Sequence, residues 1–122
     1  MNRLPRLLAA TFVLASTTAL AQESRYDPKA LARYDASYVR CEARFPEMKG
    51  HRDDAYLGLW RIKPGPKPAA RLAEVRGSAP YKAEHRLATR RTAAASAPEA
   101  AKTLERQCRG LWGEMGKSKA AS

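Results

Sequence analysis

Metal-ligating and nucleophilic side chains are scarce in this sequence. Its two histidines and two cysteines match no zinc pattern, because such sites take three or four protein ligands at characteristic spacings. No serine sits in a glycine-flanked elbow, and a serine nucleophile needs a base and a group that orients the base. The 12 acidic residues are scattered, without the paired context of a glycosidase. Sustained β-branched alternation is missing, which argues against a sheet. The expectation is a non-enzymatic protein with no cofactor and no bound metal. Acids are also outnumbered: 23 Lys and Arg give a formal net charge of +11.

Long hydrophobic runs are absent as well. The longest, Leu7–Ala15, falls short of the roughly 20 residues that span a bilayer. It follows Arg3 and Arg6 and precedes Ser16, Thr17 and Thr18, and Ala19-Leu20-Ala21 then supplies the small-x-small pattern read by signal peptidase. Residues 1–21 therefore read as a cleavable signal peptide, with cleavage after Ala21 and export to the periplasm or the medium. The n-region lacks consecutive arginines and no cysteine lies near the cleavage point, which favours general export without a lipid anchor. Residues 22–116 read as one helical domain and 117–122 as a flexible polar tail. All but two of the basic residues stay on the mature chain.

Export changes the meaning of Cys41 and Cys108. In an oxidising compartment they pair by default, and a bridge across so long a loop contributes about 4 kcal/mol in the chain-entropy treatment. Free thiols holding a metal are the weaker alternative in that compartment.

Helix punctuation recurs along the chain. Asp27-Pro28 reads as a cap and first residue, and Leu31, Tyr34, Tyr38, Cys41 and Phe45 follow at spacings of one helix face. Lys29, Arg33, Arg40 and Arg44 fall on the opposite face, with Asp35 and Glu42 near the apolar border. Pro46 ends this helix at Phe45. After a turn at Met48–His51, a short second helix presents Ala55, Tyr56, Leu59, Trp60 and Ile62. The prolines of Lys63–Pro68 break the chain. A third region from Ala69 towards Ala95 is kinked or restarted at Gly77–Pro80, with Leu72, Val75, Ala79, Ala83 and Leu87 as one weak stripe. Ser96-Ala97-Pro98-Glu99 opens the last helix, where Ala101, Leu104, Cys108, Leu111 and Met115 line one face beside Trp112.

The fold expected is an all-α bundle of four helices, up and down, stapled between the first and last long helices. Antiparallel packing through the disulfide sets Tyr38 by Leu111, Phe45 by Leu104 and Tyr34 by Met115, whereas parallel packing sets Tyr38 near Glu105. Among functional candidates, Lys82, Arg86 and Arg90 form a basic ridge with Arg91 adjacent, joined by Arg33, Arg40 and Arg44 on the first helix. These faces suit an anionic protein, polysaccharide or lipid headgroup. Nucleic acid is not expected, since no docking motif is present. Tyr56, Trp60 and His51 are the candidate pocket of a small-ligand carrier, or of a metal carrier with Asp53 and Asp54. The competing reading has Asp53 and Asp54 as helix-start acids and Trp60 and Trp112 as core.

Overall fold

The computed structural model describes residues 24–94 and 98–120. The signal-peptide segment and Ser96-Ala97 lie outside the described residues. What is described is helical, with no strand.

Helix α1 spans Pro28–Arg44. Asp27 Oδ2 accepts from the Ala30 amide at 2.9 Å, Pro28 fills the first turn, and Phe45 leaves helical geometry before Pro46. A single 3-10 turn, Pro46–Met48, leads to α2, Arg52–Leu59. Here the sequence reading ran too far: Trp60 and Ile62 lie beyond the helix. Arg61 takes a left-handed φ of 57°, its amide bonds Gly58 O at 3.1 Å, and the Ile62 amide bonds Leu57 O at 2.9 Å. These two bonds form a Schellman termination with arginine where glycine is usual.

Helix α3 spans Pro66–Arg76 and starts earlier than the prolines suggested. Pro66 and Pro68 sit in the first turn, where backbone N–H groups have no intrahelical partner to lose. The first bond runs from Ala69 N to Gly65 O at 3.1 Å. The interruption that follows is complete. Ser78 Oγ donates to Val75 O at 2.6 Å and accepts from Tyr81 N at 3.4 Å, closing α3 and capping α4, Ala79–Ala94. With α5, Pro98–Ala120, there are five helices among the described residues rather than four, because this serine cap makes the expected kink or restart a full break. The helix of α5 continues through 117–120.

The break also resets the buried face. Leu72 and Val75 are buried on α3, but α4 buries Tyr81, Glu84 and Ala88, leaving Ala79, Ala83 and Leu87 exposed. The single stripe expected across both helices does not exist.

Two apolar clusters share α1 and α2. Leu31, Ala32, Tyr56, Leu57, Leu72, Val75 and Tyr81 make the first, and Tyr38, Cys41, Met48, Ala55, Cys108 and Met115 the second. Tyr34 packs against both. Buried tyrosine hydroxyls fasten the connecting segments: Tyr38 donates to Met48 O at 2.6 Å, Tyr34 to Arg52 O and Tyr56 to Arg25 O, both at 2.7 Å.

Cys41 and Cys108 form the disulfide, 67 positions apart. Three residues on from Cys41, Arg44 pairs with Glu105, three before Cys108, at 3.5 Å, so α1 and α5 run antiparallel. The continuous seam expected between them is partial: α5 packs chiefly on α2, and α1 packs chiefly on α4. The reason is that the N-terminal half of the α1 stripe is taken by the first cluster. Tyr81 of α4 bonds Asp35, and Glu84, further along α4, pairs with Arg33, earlier in α1. These two helices therefore also run antiparallel.

Candidate functional site

The basic residues divide by whether the fold neutralises them. Arg33 bonds Glu84 at 2.9 Å and Arg91 approaches the same oxygen at 3.6 Å, so two of the expected ridge cations converge on one carboxylate. Arg33 first, then the charges of Arg91 and Lys29, hold Glu84 below the usual carboxylate range. Arg44 is engaged by Glu105, and Arg40 is half-buried. Lys82, Arg86 and Arg90 differ. They are exposed, fall at i, i+4 and i+8 on α4 opposite its buried face, and form no ion pair among the described residues.

Of the three residues of the expected ligand pocket, two share one cluster and the third stands beside the other. Tyr56 is buried in the first cluster with Trp60 at its edge. His51, at the start of α2, lies edge-on to Trp112 at 5.5 Å, beside the second cluster. Trp60 and Trp112 are both half-buried. Among the described residues no group of three or more His, Cys, Asp or Glu is placed to hold a metal.

The most strongly coupled polar cluster was not anticipated. Asp35, on α1, is 1 % exposed and accepts from Arg76 Nε at 2.8 Å and Nη2 at 3.1 Å. The Tyr81 hydroxyl donates to its Oδ2. Arg76 also grips Asp53 of α2, Nη2 to Oδ1 at 2.7 Å and Nη1 to Oδ2 at 3.2 Å, and Arg52 Nε adds a bond to Asp53 at 3.2 Å. Burial opposes the Asp53 carboxylate, yet Arg76 and Arg52 together hold it below its usual range. For Arg76 burial is likewise outweighed by the two carboxylates, which raise its pKa. Burial first, and then Asp35, pushes the Tyr81 phenol up to about 12. No buried side-chain polar atom among the described residues lacks a partner. Each carboxylate of this cluster is paired, and together the bonds join α1, α2, α3 and α4. The sequence signal was slight, since Asp35 stood near the apolar border of α1 and Asp53 read as a helix-start acid.

Between α1 and α5 lies an open groove of about 470 Å³, which no sequence feature announced. Compared with family models, with curated proteins and with solved structures, the chain finds no match in any of the three.

Proposed function

We propose that this chain is an exported, non-enzymatic binding protein that engages an anionic protein or other anionic component of the cell envelope through the outer face of α4. The observation that carries the reading is the exposed, unneutralised line of Lys82, Arg86 and Arg90. Arg33, Arg91 and Arg44 nearby are engaged by Glu84 and Glu105, whereas Lys82, Arg86 and Arg90 stand in line on one helix face with no ion pair among the described residues. Such a face steers an anionic partner and contributes mainly through association rate and salt-dependent affinity. Export rests on the leader pattern of residues 1–21 and accords with the disulfide. No described helix is long and apolar enough to cross a membrane.

Salt-gradient elution of the purified protein from an immobilised polyanion tests this. The variant Lys82→Ala/Arg86→Ala/Arg90→Ala is expected to elute at clearly lower salt. Lys49→Ala/Lys63→Ala/Lys67→Ala removes the same charge from other exposed positions and is expected to change elution less. Equal losses in the two variants mean that only net charge matters, and the α4 face is then not the site.

A further inference from the structure

The groove between α1 and α5 is lined mainly by apolar surface. Tyr34, Tyr38 and Cys41 contribute from α1, Leu104 and Leu111 from α5, and Leu59 from the end of α2. The two tyrosine hydroxyls are committed to backbone carbonyls, so the rings meet the groove as apolar surface. The groove stays open for two reasons. The disulfide holds α5 to α1 at one point while α5 packs chiefly on α2. Gly110, which lines it, carries no side chain, and a Cβ built there meets no atom within 4 Å.

One end of the groove is charged. The antiparallel register through the disulfide brings Arg33 and Glu114, both lining residues, to the same end. Glu114 is paired with Arg61 at 3.7 Å, while Arg33, Lys29 and Arg91 surround the single carboxylate of Glu84. Arg33 and Glu114 are the two charged residues of the lining, and the three cations around Glu84 leave an excess of positive charge beside Arg33. Ser37 and Gln107 add polar groups to an otherwise apolar lining. A volume of about 470 Å³ falls within the roughly 300–1,000 Å³ of small-molecule sites. It suits a single unbranched chain and is too small to seat a helix of about 10 Å diameter.

We propose that this groove binds one long-chain carboxylate, its hydrocarbon chain lying between α1 and α5 and its carboxylate at Arg33. The site is separate from the outer face of α4 and does not depend on it.

Calorimetric titration of the purified protein with dodecanoate, kept below its micelle-forming concentration, is expected to show saturable one-to-one binding. Dodecyltrimethylammonium has the same chain and a cationic head, and should bind roughly tenfold more weakly or worse. Gly110→Phe fills the groove from a position with free space, and glycine is a poor helix former. This variant should lose dodecanoate binding without a lower melting temperature. Leu59→Glu, at an exposed helix end, places an anion on the apolar wall and should weaken binding roughly tenfold. The Lys82→Ala/Arg86→Ala/Arg90→Ala variant should bind dodecanoate like the parent, which separates this site from the α4 face. Absence of saturable binding overturns the proposal, as does unchanged binding in both groove variants. Equal affinity for the two head groups overturns the assignment of the carboxylate to Arg33.

Discussion

Arg76, the last residue of α3, holds Asp35 of α1 through two parallel hydrogen bonds of 2.8 and 3.1 Å across 41 positions of sequence. The same guanidinium holds Asp53 of α2, and Asp35 also receives the Tyr81 hydroxyl from α4. One arginine thus ties α3 to α1 and α2, and through Asp35 to α4, beside the apolar cluster that the same four helices share.

Removing that arginine takes both guanidinium bonds from buried Asp35 and leaves it the Tyr81 hydroxyl and Arg52, 3.7 Å away. Arg76→Ala is expected to cost about 3 kcal/mol, the lower end of the usual penalty for breaking a buried pair, measured by urea unfolding monitored by tryptophan fluorescence. Arg76→Lys keeps the charge but not the fork that reaches two carboxylates, so it should recover only part of the loss. A loss below about 1 kcal/mol in the alanine variant, the level of an exposed pair, would show that the cluster does not hold the helices.

Acid should loosen the protein through Asp53. Its pKa in the fold lies below the usual value, so its stabilisation is complete above the unfolded pKa of about 3.9 and is lost as pH falls through the lower folded value. Melting temperature should therefore drop steeply on acidification below about pH 4, and Asp53→Asn should flatten that drop. Tyr81 acts in the opposite range. Its phenol is raised to about 12 by burial and Asp35, so its contribution is full below about pH 10 and is lost as pH climbs towards the folded value. Absorbance at the phenolate band should rise together with unfolding in alkali.

Arg61 is a backbone compromise. It occupies the left-handed position that ends α2, where a Cβ is disfavoured and glycine is the ordinary choice. Arg61→Gly should raise stability by about 0.5–1 kcal/mol, the left-handed Cβ penalty less glycine's entropic cost, even though it removes the 3.7 Å exposed pair with Glu114, which contributes little. A lower melting temperature would show that the ion pair outweighs the strain.

The disulfide should be found directly. Peptide mapping without reduction should yield one fragment linking Cys41 and Cys108 and no alkylatable thiol. Replacing both cysteines with serine removes a constraint across 67 positions and should cost about 4 kcal/mol. Because α5 also packs on α2, its helical signal should outlast the bridge.

Several elements could be read from the chain because their causes are local or unique. Asp27-Pro28 and Pro46 delimit α1 through backbone geometry within a few residues, and the spacings of Leu31, Tyr34, Tyr38 and Cys41 select its apolar face. With only two cysteines, the pairing had a single intramolecular solution. The basic residues of α4 were legible for the same reason: a helix whose period is known places Lys82, Arg86 and Arg90 on one side.

What tertiary structure decided depends on partners far apart in sequence. Asp35 is a border acid on a helical wheel until Arg76 and Tyr81 arrive from α3 and α4; burial becomes tolerable only because those donors satisfy it. Glu84 likewise becomes the shared partner of Arg33 and Arg91, a convergence of α1 and α4 that no helical wheel displays. Periodicity specifies which face of a helix is apolar but not which neighbour covers it, and so the division of the α1 stripe between two clusters was invisible. The groove is a gap left by packing, and a gap is set by where α5 docks on α2. Local physics wrote the helices and the bridge into the sequence; the polar hub and the groove exist only once the helices meet.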